Sequence, residues 1–253
     1  MDKFKGKNVI VTGTSRGIGK SIANYFYDEG ARVMAISRNE SACMYDDRWI
    51  SVCSSIDNTE CILKAMNNAK FIPDILINNA GIICYENLID ITREQLERVF
   101  STNVFDTFLL TQMIVKEMIS HNVPGVIVNT LSFASFIPSA GSGVYAASKS
   151  ALNSFTRTMA AEWAPYGIRV NGYSPGVVET EMTIPAIEKN RQKMINDIAL
   201  HEIAEVQQMN EIVGFLASDA SSYITGINLD ASGGKFIVQN SGQVWKDAEL
   251  KGH

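Results

Sequence analysis

Apolar residues fall along this chain in short continuous runs that alternate with longer stretches of helical spacing. Runs at 7–12, 31–36, 49–53, 75–78, 125–131, 168–173 and 227–229 predict seven strands. They are unbroken rather than alternating, as strands covered on both faces by helices must be. Between them, 17–29, 58–69, 92–122, 145–163 and 209–218 repeat apolar residues at three- and four-residue intervals and predict helices. That alternation predicts an α/β fold: a doubly wound parallel sheet of about seven strands with helices on both faces. Only 11 residues separate Ser37 from Trp49, so the crossover there has room for no more than a stub of helix. No repeat or Pro/Gly/Ser linker divides the chain, and residues 1–253 are expected to form a single domain.

Composition narrows the class of partner. With 253 residues and 46% hydrophobic content the chain buries a sizeable core, and intrinsic disorder is excluded. Twenty-two basic residues against 27 acidic ones leave a formal charge of −5 with no basic block, which argues against nucleic acid. No apolar run reaches the roughly 18–20 residues of a membrane span, and the first apolar segment is too short for a signal peptide, so a cytoplasmic protein is expected. Cys43, Cys53, Cys61 and Cys84 show no C-x-x-C spacing, and His121, His201 and His253 form no H-x-x-x-H pair. No metal site is expected, and the cysteines read as small buried hydrophobes in a reducing compartment.

Candidate chemistry begins where the first strand ends. Thr12-Gly13-Thr14-Ser15-Arg16-Gly17-Ile18-Gly19 lies between that strand and the first helix. Glycines there permit a tight turn and close backbone approach, while the free N–H groups and dipole of the helix start suit a pyrophosphate. Farther on, Tyr145 and Lys149 are four apart and share a helix face. A nearby ammonium favours phenolate over a phenol of pKa ~10, which makes Tyr145 a usable acid/base. Ser132, at a strand end 13 residues before Tyr145, is placed to donate to a substrate oxygen as charge develops on it.

Asn78-Asn79-Ala80-Gly81 after the fourth strand, Asn103 in the long helix and Pro175-Gly176 with Thr180 after the sixth strand complete a pattern. From about Lys7 to Gly234 the chain resembles the short-chain dehydrogenase/reductase family, a Rossmann-type fold, and in general pattern its 3-oxoacyl-carrier-protein reductase-like members. The resemblance implies an NAD(P)-dependent enzyme moving hydride between a nicotinamide and a carbonyl or secondary alcohol. It implies catalytic Asn103, Ser132, Tyr145 and Lys149, with Lys149 also holding the nicotinamide ribose and Asn103 holding a proton-relay water. It implies cofactor contacts at Gly13, Ser15, Arg16, Gly17, Ile18, Gly19, Asn79, Ala80, Gly81, Tyr145, Lys149, Pro175, Gly176, Val178 and Thr180. Homo-oligomers, tetramers or dimers, through helices 92–122 and 145–163 are implied too.

Cofactor choice is read from the end of the second strand, where an Asp or Glu would accept from a ribose 2′-OH. Ser37 stands there, followed by Arg38, with Arg16 in the glycine loop. Two guanidiniums and a hydroxyl suit a 2′-phosphate, so NADP(H) is expected over NAD(H) unless Glu40 and Asp46 pair the arginines. Two departures from the family pattern touch the cofactor and the tail. Ser54 replaces the usual adenine-contacting Asp after the third strand, and a 19-residue tail, 235–253, follows Ala231-Ser232-Gly233-Gly234. The tail is open to three readings: a subunit contact, a cover over the substrate mouth, or disorder.

Phe133, Phe136 and Met182 are the candidate substrate contacts. They lie in the segment after Ser132 and in a lid of about 177–205. Lys189, Arg191 and Lys193 on the lid read as a solvated face or as a site for an anionic substrate or an acidic carrier protein. Two other functions compete. Gly172-Tyr173-Ser174-Pro175-Gly176 matches G-x-S-x-G, with Asp230 and His253 following, a serine hydrolase order. Pro175 undermines it, because the oxyanion hole needs the N–H of the residue after the nucleophile. A dinucleotide-binding sensor without chemistry has no need of Ser132, Tyr145 and Lys149 together.

Overall fold

The computed structural model describes residues 2–39 and 46–250. Seven strands form one sheet: β1 (Asn8–Thr12), β2 (Arg32–Ser37), β3 (Trp49–Cys53), β4 (Ile75–Asn78), β5 (Val126–Thr130), β6 (Arg169–Pro175) and β7 (Asn228–Ala231). Their order is β3-β2-β1-β4-β5-β6-β7, and every neighbouring pair is parallel. Eight helices accompany them: α1 (Gly17–Asp28), α2 (Thr59–Asn68), α3 (Arg93–Phe100), α4 (Thr107–Ser120), α5 (Gly143–Trp163), α6 (Ile184–Asn196), α7 (Val206–Ala217) and α8 (Ser241–Leu250).

Successive strand residues divide between two cores. Val9, Val11, Val33 and Ala35 pack with Ile22, Ala23 and Phe26 of α1 and Met209, Val213 and Leu216 of α7. Ile10, Met34 and Ile36 point the other way, onto Ile62 and Met66 of α2, Leu110, Ile114 and Met118 of α4 and Met159 of α5. Both faces of the sheet are therefore covered, which accounts for the unbroken apolar runs. The strand order reverses direction between β1 and β4, and the crevice outside the carboxyl ends of the strands at such a reversal is where this architecture holds ligands.

Local sequence explains the element ends. The Asn58 side chain accepts from Cys61 N at the start of α2, and Thr92 and Gln95 form a reciprocal capping box on α3. Gly30, at φ +89°, supplies the left-handed turn between α1 and β2.

Several expectations need correction. The helix expected over 92–122 is not continuous: α3 gives way to a π-helical segment, Ser101–Asp106, before α4. A π turn re-aims side chains within a helix and recurs at functional sites. No helix joins β2 to β3 among the described residues, and 40–45, with Glu40 and Cys43, lie outside them. Of the remaining cysteines only Cys84 is buried; Cys53 is exposed and donates from Sγ to the Arg38 carbonyl at 3.3 Å. The lid and tail, read only as segments, carry α6 and α8. Among the described residues no helix is long and apolar enough to cross a membrane, and no group of three or more His, Cys, Asp or Glu is placed to hold a metal ion.

Candidate active site

The glycine loop leaves β1 at the strand reversal and is clamped from β4. Thr12 Oγ1 accepts from the backbone N–H groups of both Asn79 and Ala80, each at 3.0 Å, and Asn79 Nδ2 donates to Thr12 O at 3.1 Å. Gly13 is at φ +73°, and a Cβ on it would meet Ala80 Cα at 2.9 Å. A Cβ on Gly19 would lie 2.3 Å from Gly13 O, so α1 packs onto the loop only because that residue is glycine. At the start of α1, Arg16 gives no side-chain cap and the first turn holds no acidic residue. The N–H groups and positive dipole end there are left for a ligand anion. Thr14 Oγ1 is buried close by without a hydrogen-bond partner among the described residues, a further polar atom in want of one. These features fit a dinucleotide pyrophosphate.

Ser132, Tyr145, Lys149 and Asn103 meet beyond the carboxyl ends of β4 and β5. Lys149 is fully enclosed, and its ammonium donates to the Thr130 carbonyl at 2.7 Å. Burial pushes its pKa down to about 8. Its Nζ lies 5.9 Å from the centre of the Tyr145 ring. Burial also holds the Tyr145 phenol above its ordinary range, opposed by a hydrogen bond with Ser132 and aided by nearby Tyr85. Burial thus outweighs, in this state, the lowering that the four-residue spacing leads one to expect for this phenol. Ser132 Oγ accepts from Ala134 N at 3.1 Å.

Asn103 sits in the π segment, wholly buried. Its Oδ1 accepts from Ile82 N at 2.8 Å, and its Nδ2 donates to Ile82 O at 2.9 Å and to Ser148 Oγ at 3.0 Å. It therefore fastens the segment after Gly81 to α5. A Cβ on Gly81 would lie 3.2 Å from Asn103 Oδ1 and 3.4 Å from Lys149 Nζ, so glycine there lets the two groups converge.

Beneath this site runs a buried polar chain that the sequence reading missed. Asn78 Nδ2 donates to Thr111 Oγ1 at 2.7 Å and to Asn129 Oδ1 at 2.8 Å, and Asn129 Nδ2 donates to Thr156 Oγ1 at 2.9 Å. It ties β4 and β5 to α4 and α5. The available signal was an Asn or Thr near the end of each strand in an otherwise apolar run.

Around the cofactor end, Ser37 Oγ donates to Asn39 O at 2.7 Å and Arg38 is exposed. Asp46, considered as a partner for the arginines, instead pairs with Arg48 at 3.1 Å. Arg16 faces Glu181 at 3.6 Å, an exposed pair across the lid. Ser54 N donates to Ser37 O at 2.9 Å, so this residue is part of the junction between the ends of β2 and β3. Ser15 and Ile18 lie in the glycine loop and first turn, Ile18 against the α1 core. Pro175 closes β6, and a Cβ on Gly176 would meet Ser232 Cα at 2.8 Å. Val178 is buried and bridges Ala204, and Thr180 N donates to Thr183 Oγ1 at 2.9 Å.

Of the candidate substrate contacts, Phe133 is buried, while Phe136 and Met182 are 44% and 49% exposed. Phe133 touches Phe136 and Phe236 with ring centres 6.3 and 6.1 Å apart. Phe236 belongs to the tail. That segment and the Gly233 just before it fold onto the lid: Leu200 N donates to Gly233 O at 3.1 Å, Phe236 N to Asp197 O at 3.0 Å and Trp245 Nε1 to Ala199 O at 2.9 Å. Trp245 stacks on His201 at 4.8 Å. The basic group on the lid proves to be surface, with Arg191 paired to Glu179 at 3.2 Å. Ser174, the rival nucleophile, is fully buried within β6 and hydrogen-bonds Ser132 O and Asn228 Oδ1 at 2.9 and 2.8 Å. No attacking position is open to it, and His253 lies outside the described residues.

A family model described as short chain dehydrogenase matches residues 7–191, and the chain belongs to that family of NAD(P)-dependent oxidoreductases. It is 32% identical over 243 residues to a 3-oxoacyl-[acyl-carrier-protein] reductase of Vibrio cholerae, covering 93% of this chain and 99% of that one. A structure of 4-hydroxyisoleucine dehydrogenase complexed with NADH matches with a TM-score of 0.87 at 28% identity, covering 92% of this chain and all (100%) of the other. An Agrobacterium tumefaciens protein with bound NADP matches with a TM-score of 0.83 at 27% identity, covering 92% and 98%.

Proposed function

We propose that this chain is an NADP(H)-dependent oxidoreductase that exchanges hydride between the nicotinamide and a carbonyl or secondary alcohol of a small molecule. The observation that carries the reading is the meeting of Tyr145, Ser132, Lys149 and Asn103 in one site beside a glycine loop suited to a pyrophosphate. A dinucleotide held there would supply the hydride in reduction and accept it in oxidation. In reduction Tyr145 gives its phenol proton to the substrate oxygen, and burial, by raising its pKa, keeps that proton loaded. Ser132 Oγ accepts from Ala134 N, which leaves its own proton to give to the same oxygen as charge develops. The Lys149 ammonium then faces the tyrosinate that forms, and a cation there lowers the cost of forming it. Lys149 also holds the ribose hydroxyls. Asn103 and Lys149, converging on Gly81, hold the water through which Tyr145 is reprotonated.

The preference for NADP(H) rests on Ser37 in place of an acid, on Arg38 at the end of β2 and on Arg16. The exposed Arg16–Glu181 pair is worth little, so the guanidinium is released cheaply to a 2′-phosphate. A second copy of the chain is the proposed partner for α4 and α5 with the π segment before α4, whose apolar side extends outward through Phe105, Leu109 and Phe155 at 56%, 52% and 38% exposure. Static light scattering at a dimer or tetramer mass supports that pairing, and a monomer mass refutes it.

The deciding experiment follows NADPH and NADH oxidation by the purified protein with β-ketoacyl thioesters, sugars, steroids and quinones, alongside Tyr145→Phe. Turnover favouring NADPH and lost in the variant is expected. Equal turnover in the variant sinks the role of Tyr145, and equal affinity for both cofactors sinks the preference.

A further inference from the structure

Three segments leave the carboxyl ends of adjacent strands and meet over the candidate site: the turn after β5 with Ser132 and Phe133, the lid after β6, and Ser232–Lys235 after β7. At their junction stands Lys235. Its backbone is fixed by a bridge to Ile198 and by donation of its N–H to Ser232 Oγ at 3.1 Å. Its ammonium lies 5.6 Å from the centre of the Phe133 ring and 5.4 Å from that of Phe236. Two aromatic faces hold the cation in place. Burial lowers its pKa, and Asp197, the one charged group that opposes this, forms no ion pair with it among the described residues. A partly buried ammonium whose nearby carboxylate is not in ion-pair contact is incompletely compensated, and an anion brought to it recovers the lost interaction.

We propose that Lys235 is a specificity residue that receives the carboxylate of the substrate, and that the substrate is a small oxo or hydroxy carboxylic acid. The assignment rests on the proposed reductase reading and deepens it. Phe133 directly follows Ser132, so the Phe133–Phe236–Lys235 cluster adjoins the serine along the chain, and the proposal seats the carbonyl at Ser132 and Tyr145 and the carboxylate at the cluster. The three basic residues of α6 do not compete for this role. Lys189, Arg191 and Lys193 are exposed on the outer face of the lid, and Arg191 already faces Glu179.

The test compares 4-oxopentanoate, 5-oxohexanoate and their methyl esters as substrates for the wild type, Lys235→Met and Lys235→Arg. Methionine keeps the length of the stem and its packing on the two phenylalanines. In the wild type, kcat/KM for each acid exceeds that for its ester by about tenfold or more, and Lys235→Met loses about ten- to a hundredfold on the acids with the loss expressed in KM. Lys235→Arg restores part of it, and the esters do not follow either variant. A wild type indifferent to the carboxylate, a variant that loses acid and ester equally, or a β-ketoacyl thioester preferred over every acid overturns the proposal.

Pentanoate, which has no carbonyl to reduce, is titrated calorimetrically into the same proteins with NADPH present. Binding that weakens in Lys235→Met supports the carboxylate site even where nothing is turned over, and binding that is absent or unchanged overturns it. Turnover retained in Tyr145→Phe instead removes the reductase mechanism and leaves the Lys235 comparison standing.

Discussion

The floor of the candidate site and its roof are built on opposite principles. In the floor, Lys149 and Asn103 are enclosed and hydrogen-bonded to backbone at 2.7–2.9 Å, and the Asn78–Asn129–Thr156 chain beneath them joins two strands to two helices. The roof, the lid with the tail across it, leans on exposed pairs such as Arg16–Glu181. It contains one kink at Asn190 and buries a single residue of α6, Ile187. Buried polar groups are costly to leave unmade and so hold one geometry, whereas exposed pairs and single aromatic stacks open for little free energy. Chemistry that requires sub-ångström placement is assigned to the first kind of structure, and admission of substrate to the second.

The largest expected effect is in the floor. Lys149→Met lowers kcat/KM by about a thousandfold or more, since it removes the cation that faces the tyrosinate. Its stability at pH 7 is unchanged or raised, because it no longer buries a charge. The sign follows from the pKa: at about 8 in the folded state against an ordinary lysine value of 10.5, the unfolded chain binds more protons between those values. Wild-type stability therefore rises with pH through that window, and the mutant lacks the rise. Urea unfolding at pH 7 and pH 9.5 measures it, and a mutant much less stable at pH 7 contradicts it.

Next in size is Asn129→Ala, which leaves Asn78 and Thr156 without their shared partner. Unfolding free energy falls by about 3 kcal/mol, seen as a clear drop in melting temperature. A drop below about 1 kcal/mol shows the polar chain to be dispensable and weakens the contrast with the roof.

Glu181→Gln probes the roof. By releasing Arg16 it lowers KM for NADPH about two- to fivefold with no comparable change for NADH. Steady-state kinetics with each cofactor decide the matter, and equal shifts point to a general effect on the lid.

The smallest effect is expected of Trp245→Ala, which removes the stack on His201 and the hydrogen bond to Ala199. Stability changes by no more than about 1 kcal/mol, while proteolysis within 235–250 becomes faster. A loss as large as that of Asn129→Ala overturns the distinction between the two regions.

Much of the floor is legible in the sequence because its signals are local. Unbroken apolar runs mark strands covered on both sides, Gly13, Gly17 and Gly19 mark a turn of close approach, and Tyr145 with Lys149 share a face by spacing alone. What escaped was set by partners far along the chain. Asn103 was singled out through the family resemblance, but its grip on Ile82 and Ser148, to which a π segment turns it, was not. Asp46 looked available to the arginines, yet its bonds go to Arg48 two residues on. The tail showed no local pattern to decide among its three readings, and it is the lid's backbone that orders it.

By itself, then, the sequence determined the parallel α/β architecture and singled out the glycine loop and the side chains proposed to move a proton. Periodicity, glycine stereochemistry and four-residue spacing act within a turn or a strand. Only the tertiary structure decided that Lys149 donates to Thr130, that Arg16 meets Glu181 and that Lys235 comes to rest on Phe133. Those contacts join residues 19 to about 165 positions apart, and whether such groups meet depends on how strands β1 to β7 are ordered and which of their ends the loops leave. Burial then fixes the energetics, because an ammonium or a phenol acquires its working pKa from the water it has lost.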